Sequence, residues 1–295
     1  PRPMWTRPFD RFVAPARTAP GLLRLFGGVV LAVAIYFVTI VALLGLVVSL
    51  AGFEALDAWL GQIAIGDTPT AVLLLLATFV GMALGPMAAA RWVHKRPARG
   101  LFGPGVVAGF ALGTAAGTTL LLVSLLLPAP FEIARNTPSD VFWTFLPLAL
   151  LGLLVQTGAE EILFRGYLQQ QLAARFDHWA AWLVLPSVAF GLLHYDPAGA
   201  GANAWWIVVA ATLFGLVAAD LTRVTGNIGA AWGLHMVNNS FAVLVVALDG
   251  TLSGLSWWVI PATAAELSPI LIAQDMMVTV IIWLVLRLWI AKRAA

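Results

Sequence analysis

The sequence has no cysteine among its 295 residues. This absence excludes disulfide bonds, thiolate zinc sites, iron–sulfur clusters and a cysteine nucleophile. Charged side chains are also scarce, at 10% of the residues, and the chain has four histidines. Charge at membrane depth is costly and usually faces a polar interior. Each ionisable residue inside an apolar segment is therefore a candidate for chemistry.

Long apolar segments dominate what is present. Apolar residues make up 61% of the chain, and the mean hydropathy is +0.94, whereas soluble domains use about 45–50% apolar residues. The segments lack the alternation of transmembrane β-strands. Since about 20 apolar residues cross the hydrocarbon layer as a helix, the sequence predicts an all-α, polytopic membrane bundle of about eight transmembrane helices. These predicted spans lie near residues 22–50, 70–92, 104–127, 141–164, 180–195, 204–221, 227–248 and 270–291.

The basic residues are concentrated in the loops on one side of the predicted bundle. Apart from Arg135, every Lys and Arg falls on one side of the predicted bundle. The positive-inside rule makes that side the cytoplasm. The sequence therefore predicts a multi-pass integral membrane protein with both termini cytoplasmic. In a bacterium, the membrane would be the inner or plasma membrane.

The chain divides into two predicted regions. Residues 1–24 form a basic cytoplasmic juxtamembrane arm, whose prolines are expected to break any regular helix. Its arginines are expected to act as a topology signal, with contact to anionic lipid as the alternative. Residues 25–295 form a single membrane domain, and residues 141–248 are its motif-bearing core.

The third predicted span carries four glycines spaced four residues apart, and therefore on one helix face: Gly105, Gly109, Gly113 and Gly117. Small residues at this spacing let two helix backbones approach closely. An eight-helix bundle offers many internal neighbours, so internal packing is favoured over a dimer interface.

Polar residues inside the predicted spans fall in three places. Glu160 and Glu161 end the fourth span, His194 closes the fifth, and His235 and Asn239 lie within the seventh. If spans four and five form a hairpin that turns midway between Glu160 and His194, both residues stand roughly 25 Å from its tip, at 1.5 Å per residue. The two side chains are then expected at one level of the bundle.

Glu160 and His194 reach the same depth in the bundle as His235 only if that hairpin extends beyond the other helices. His235 lies roughly 13 Å beyond the turn at Gly226, so the hairpin must protrude about 10 Å into the cytoplasm, by the difference of these helix lengths. A polar tip makes this protrusion plausible, and its residues are Gln169, Gln170, Gln171, Arg175 and Asp177.

Helical spacing assigns faces to these groups. His235 and Asn239 are four residues apart and share a face, with Asn238 as the runner-up. Adjacent Glu160 and Glu161 point about 100° apart. Glu161 and Arg165 are four apart and suit an ion pair, which leaves Glu160 to face a cavity.

A carboxylate, two imidazoles and an amide around a water-filled pocket suit acyl hydrolysis. Glu160 would take a proton from water as general base, with His194 sharing or orienting that water. His235 and Asn239 would donate hydrogen bonds to the developing oxyanion. Alternatively, Glu160, His194 and His235 would ligate one divalent metal, with zinc the first choice, that activates the water.

Three motifs also carry a family resemblance. Glu160-Glu161-x-x-x-Arg165, Phe190-x-x-x-His194 and His235-x-x-x-Asn239, each on its own apolar span, resemble the signature motifs of the CAAX prenyl protease and bacteriocin-processing family, also called the Abi family. The resemblance implies an eight-span bundle with a cytoplasm-facing cavity, and proteolysis that depends on the first glutamate. By motif it assigns Glu160, His194, His235 and Asn239 as catalytic, with Glu161 and Arg165 as motif partners. Members are described both as metalloproteases and as metal-independent glutamate proteases, so the metal stays open.

These features predict an intramembrane endopeptidase that cleaves a membrane-associated or lipidated peptide or protein. The lipid bilayer is its expected surroundings, and no nucleic-acid partner is expected. The main alternative is a catalytically silent membrane scaffold, chaperone or immunity protein that binds a hydrophobic membrane-protein partner. A proton-coupled transporter is disfavoured, because the sequence shows neither a two-fold repeat nor paired broken helices.

Overall fold

The computed structural model describes residues 5–124 and 132–294. The predicted all-α membrane class is confirmed, because these ranges are almost entirely helical. The α-helices are α1 (Arg7–Val13), α2 (Leu22–Ala51), α3 (Leu56–Ile65), α4 (Pro69–Ala88), α5 (Val106–Ser124), α6 (Ser139–Glu161), α7 (Gln170–Arg175), α8 (Leu185–Leu192), α9 (Pro197–Ala200), α10 (Ala204–Thr225), α11 (Gly229–Ser240) and α12 (Pro269–Ala294).

Shorter elements extend or connect these helices. Wider, π-helical segments span Ala89–Val93, Ile162–Gln169, Ala180–Val184 and Phe241–Val245. Short 3-10 turns lie at Ala14–Thr18, Phe53–Ala55, Ala98–Leu101, Gly201–Asn203 and Ser253–Leu255. A small sheet has β3 (Trp258–Ile260) at its centre, antiparallel to β1 (Ala134–Arg135) and parallel to β2 (Val246–Leu248).

The number of full-length spans is lower than predicted. Within the described residues, six helices are long and apolar enough to cross a membrane: Leu22–Ala51, Pro69–Val93, Ala98–Val123, Ser139–Arg175, Pro197–Thr225 and Pro269–Lys292. The predicted fifth span is the shorter helix Ala180–Leu192, and the seventh is α11 with its π-helical continuation. Both short helices pack against neighbouring helices, so bilayer thickness does not fix their length. Residues 125–127 of the predicted third span lie outside the described residues.

Three of the four predicted glycines, Gly109, Gly113 and Gly117, pack inside the molecule as predicted, whereas Gly105 precedes α5 and has open space at its Cβ. A Cβ on Gly113 would stand 2.1 Å from the carbonyl oxygen of Ala230, and one on Gly109 would stand 3.1 Å from the Ala230 nitrogen. A Cβ on Gly117 would meet Val237 at 3.2 Å. The helix pressed against this face is α11, which carries the predicted histidine and asparagine.

The N-terminal residues are ordered helix, contrary to the prediction for the arm. Thr6 caps α1 by accepting a hydrogen bond from the Phe9 nitrogen. Pro8 lies in the first turn, where no backbone N–H is needed and proline is tolerated. Phe9 and Phe12 are buried in the same cluster as Trp182 of the membrane domain. The described part of the arm therefore shares the core of the domain, while residues 1–4 lie outside the described residues.

The predicted polar hairpin tip is also wrong at its three glutamines, which are buried. The side-chain amide of Gln170 donates to the carbonyl oxygens of Phe12 at 2.7 Å and Gly100 at 2.9 Å. Gln169 donates to the carbonyl of Ala219 at 3.0 Å. The N-terminal segment packs over α7, and backbone carbonyls from three separate segments accept hydrogen bonds from amides that the sequence alone assigned to water.

These contacts gather the basic loops at one end of the bundle. Thr6 donates to the Arg223 carbonyl at 2.6 Å, and Gly103 lies against the Gly226–Asn227 turn. We call this end, formed by residues 5–20, 94–103, 170–178 and 223–229, the basic end. Its placement in the cytoplasm stays a prediction.

Candidate active site

The acidic pair lies where the backbone of the fourth span changes form. Glu160 and Glu161 are the last residues of α6, and Ile162–Gln169 continues as a π-helical segment. Such wider turns are common at functional sites. Glu161 is fully buried, whereas the Glu160 side chain retains 12% of its exposure.

His235 of α11 stands between the two carboxylates. Its Nδ1 atom lies 2.9 Å from Oε1 of Glu161 and its Nε2 atom lies 3.3 Å from Oε2 of Glu160. A carboxylate accepts hydrogen bonds when ionised, so Nδ1–H donates to Glu161 and Nε2 is directed at Glu160. Oε2 of Glu160 is buried and makes no hydrogen bond with a described residue, so the 3.3 Å contact is an ion pair only when both nitrogens of the ring carry protons.

Glu161 makes more contacts than the predicted ion pair with Arg165. Its Oε1 accepts from Arg165 Nη1 at 2.9 Å, which is the predicted ion pair, and from His235 as well. Arg165 is buried and also donates from Nη2 to the carbonyl of Gly215 at 3.3 Å. Its guanidinium carbon lies 4.8 Å from the centre of the Phe190 ring. One carboxylate oxygen thus links α6 to α11.

His194 lies nearer the surface than predicted. It stands in the turn that follows α8, and its residue is exposed. Nδ1 lies 2.9 Å from the carbonyl oxygen of Phe190. A carbonyl only accepts, so Nδ1 carries the proton and Nε2 is an acceptor. His194 and Glu160 line the same cavity, which brings together the two residues expected at one level.

Asn239 is hydrogen-bonded to a residue that the three motifs do not include. Its Nδ2 donates to Oε1 of Gln156 at 2.9 Å, and its Oδ1 accepts from Asn238 at 3.3 Å. Gln156 is buried on α6, four residues before Glu160 and therefore on the same helix face. That spacing is the signal that could have found it. Asn238, the runner-up, is exposed.

Aromatic rings close the inner side of the site. The rings of Phe190 and Phe214 lie 6.0 Å and 4.8 Å from the His235 ring. Phe190 was recognised as a motif residue, whereas Phe214 on α10 was missed because nothing in a uniformly apolar span marks it.

A cavity of about 550 Å³ opens in front of Glu160 and His194, within the range of ligand-binding pockets. Its walls come from α2, α4, α8 and the π-helical segment after α6. Apart from the two site residues and the hydroxyl of Tyr36, the lining is apolar: Val29, Ala32, Val33, Phe37, Phe79, Met82, Leu163, Phe164, Leu168, Phe190 and Leu193.

The predicted metal ligands are only partly brought together. No group of three His, Cys, Asp or Glu residues in the described part of the chain is placed to hold an ion. His235 Nε2 lies 3.3 Å from Oε2 of Glu160 while Nδ1 is bound to Glu161, so the lone pair of an unprotonated Nε2 would face the carboxylate as one of two ligands. The metal therefore stays a prediction, and we derive no step through it.

The fold and the site define a multi-pass helical membrane protein with a glutamate–histidine centre at the edge of an apolar cavity. Residues 142–241 match the family model described as Rce1-like, type II CAAX prenyl endopeptidase Rce1-like. This match covers the region of all three motifs and confirms the resemblance that they indicate. At the family level it supports a CAAX-protease-like protease.

A curated relative gives a second comparison. The chain is 27% identical over 181 residues to the uncharacterized protein YyaK of Bacillus subtilis (strain 168). The matched region covers 58% of this chain and 59% of the relative's length. No solved structure matches the chain significantly.

Proposed function

We propose that this protein is an intramembrane endopeptidase that hydrolyses a peptide bond with water activated by Glu160. The observation that carries the proposal is the cavity-side carboxylate of Glu160, whose buried Oε2 lacks a hydrogen bond and lies 3.3 Å from His235 Nε2. The family match at residues 142–241 supports this reaction class.

Glu160 and His194, the two site residues that line the cavity, activate the water. Glu160 accepts a proton from water, and the lone pair on His194 Nε2 accepts that water's second hydrogen and orients it. The oxygen attacks the scissile carbonyl carbon and the carbonyl π-bond opens to an oxyanion. Glu160 then returns the proton to the leaving nitrogen as the carbon–nitrogen bond breaks, so the carboxylate is regenerated.

Asn239 and His235 stabilise the charge that develops on the carbonyl oxygen. Asn239 Nδ2 carries two hydrogens, of which one is bound by Gln156, and the other is available to the oxyanion. His235 donates from Nε2 when that atom is protonated. Donors fixed in advance at an oxyanion typically contribute about 3–4 kcal/mol to lowering the barrier. Glu161 and Gln156 are positioning residues, since each holds one of these donors.

The cavity lining suits a substrate with an apolar body. The carboxylate of Glu160 and the imidazole of His194 face walls from α2 and α4 that are almost wholly hydrocarbon. Burial of apolar surface there would hold a lipidated or membrane-embedded peptide, while the polar corner receives its peptide bond. The substrate class is therefore a membrane-associated or lipidated polypeptide.

The test compares peptide termini in membranes that carry the wild-type protein, Glu160→Gln or Glu54→Gln. Glu54 is an exposed glutamate outside the site, so Glu54→Gln controls for the loss of one carboxylate. We expect new termini with wild type and Glu54→Gln and none with Glu160→Gln, although all three insert equally. The same termini in all three membranes would exclude Glu160 as the base. Their absence in all three, with a partner that copurifies equally, would instead favour the silent scaffold.

A further inference from the structure

Arg96, at the basic end, is a buried cation with no counter-charge among the residues that the structure describes. The residue is 4% exposed, and none of its three side-chain nitrogens has a hydrogen-bond partner among the described residues. Burial lowers its pKa to about 10, so the guanidinium is still charged at neutral pH. A buried, unpaired charge is costly, and its retention requires an anion that the described protein does not supply.

The surroundings add more positive charge. The polar group that acts on the Arg96 charge is the hydroxyl of Tyr167, which is hydrogen-bonded to His94. Arg11 and Arg99 are exposed and form no ion pair with a described residue. Asp10 is nearby on α1, but it is paired with Arg17 at 2.6 Å. The local field therefore favours an anion from outside the chain.

A cavity of about 470 Å³ lies beside this arginine. Arg11 and Arg99 line it together with Phe12, Phe102 and Val106. It thus offers two guanidinium groups and an apolar floor, which matches an amphipathic anion better than a small free ion.

Gly100 is the link between the cavity and Arg96. Gly100 and Pro15 both line the cavity. A Cβ placed on Gly100 would lie 3.6 Å from Arg96 Nη1 and 3.7 Å from Pro15 Cβ. These are ordinary contact distances, so the backbone of Gly100 is all that separates the cavity from the Arg96 guanidinium at this point. The Arg96 nitrogens are themselves enclosed, so an anion in the cavity would be attracted by the buried charge across Gly100 without touching it.

We propose that this cavity binds the phosphodiester headgroup of an anionic membrane lipid, which is held by Arg11 and Arg99 and attracted by the buried charge of Arg96 behind Gly100. Charge-assisted hydrogen bonds from guanidinium to phosphate are strong and geometrically specific. The cavity is lined by the first residues of the candidate span Ala98–Val123 and by the N-terminal segment, and a headgroup is expected beside the end of a membrane-spanning helix. This inference is independent of the proposed proteolysis.

The experiment places the purified full-length protein in phosphatidylcholine nanodiscs with or without phosphatidylglycerol, and a third arm adds inorganic phosphate to the phosphatidylcholine sample. Retained lipid is counted by native mass spectrometry and thermal unfolding is recorded. We expect phosphatidylglycerol to be retained and to raise the unfolding temperature. Loss of one charged hydrogen bond should weaken binding roughly tenfold, and we expect this for Arg99→Gln. Gly100→Ala should also weaken binding, because its methyl group holds the anion further from Arg96 without changing charge.

Two control variants, and one variant that is expected to gain stability, make the test specific. Arg91→Gln removes an exposed charge outside the cavity, and Gly45→Ala adds a methyl where no atom lies within 4 Å. Both should bind like wild type. Arg96→Met should be more stable than wild type in phosphatidylcholine, because it removes the unpaired charge, and should gain little from phosphatidylglycerol. Equal stabilisation of all variants, no response of wild type to the lipid, or full replacement of the lipid by inorganic phosphate would each overturn the proposal.

Discussion

The Nδ1 atom of His235 lies 2.9 Å from Oε1 of Glu161, across 74 residues of sequence. This bond fixes the rotation of α11 relative to α6 and directs Nε2 of the same ring towards Glu160. The second glutamate of the pair is therefore attached to the chemistry through His235, and it neutralises Arg165 with the same oxygen. The two carboxylates have different tasks that depend on one imidazole.

Glu161→Gln and Glu160→Gln should separate these tasks. Glu161→Gln leaves the buried Arg165 without its counter-charge, and we expect a loss of about 3–5 kcal/mol in the free energy of unfolding. Glu160→Gln should cost clearly less, because its Oε2 accepts no hydrogen bond, yet it should abolish turnover. Thermal unfolding in detergent measures the first effect and cleavage the second. Equal destabilisation by the two substitutions would contradict the assignment.

Gln156→Met should lower turnover without removing a residue that touches the reacting atoms. The substitution keeps the side-chain length and deletes the acceptor that holds Asn239. We expect kcat to fall roughly tenfold with little change in KM, since a misplaced donor weakens transition-state binding by about 1.4 kcal/mol. Thr157→Val, at the adjacent buried position, is the control for packing. A fall in kcat that Thr157→Val reproduces would mean that Gln156 acts only through packing.

Gly113→Ala should force α5 away from α11. Its Cβ would stand 2.1 Å from a backbone oxygen of Ala230, which cannot move aside as a flexible side chain does. Overpacking of this kind costs about 1–3 kcal/mol, and displacement of α11 should reduce activity as well. Gly45→Ala, with open space at its Cβ, should leave the unfolding temperature and cleavage unchanged. A wild-type profile for Gly113→Ala would show that the two helices are not tightly packed.

His94 should make stability depend on pH. Burial lowers its pKa below the usual 6.5; a hydrogen bond with Ala19 opposes this effect, and the charges of Arg96 and Arg24 add to it. The unfolded chain therefore binds a proton that the folded chain does not as the pH falls through 6.5, so stability decreases in that window. In His94→Gln this part of the decrease should vanish. Unfolding temperatures between about pH 7.5 and about pH 5.5 measure it, and an unchanged slope in the variant would contradict the prediction.

Removal of divalent metal should not abolish cleavage. The described residues gather no set of three metal ligands, and the proposed water activation needs only side chains. We expect equal initial rates before and after treatment with a chelator, followed by dialysis against metal-free buffer. Loss of activity that zinc restores would instead support the metal site predicted from Glu160, His194 and His235.

Much of the local geometry could be predicted from the sequence. Hydrophobic runs identify the membrane class because hydrocarbon thickness sets a minimum helix length. The Glu161–Arg165 pair follows from four-residue spacing on one helix, and the glycine face of α5 follows from the same periodicity. The three motifs indicated the family. Each of these inferences uses interactions within one helix or the general preference of lipid for apolar side chains.

Contacts between distant segments could not be predicted in this way. Gln170 bonds the Phe12 carbonyl across 158 residues, so the glutamines assigned to a solvated tip are buried under the N-terminal segment. Asn239 meets Gln156 across 83 residues; four-residue spacing places Gln156 on the face of Glu160, but only the packing of α11 against α6 makes Asn239 its partner.

The sequence by itself determined that the chain is a helical membrane protein and that Glu160, Glu161, His194, His235 and Asn239 are among its rare polar groups within apolar segments. Only the tertiary structure decided that His235 stands between the two glutamates. The reason is physical: composition and spacing fix which face of one helix a side chain occupies, whereas its partner depends on the rotation and depth at which helices pack.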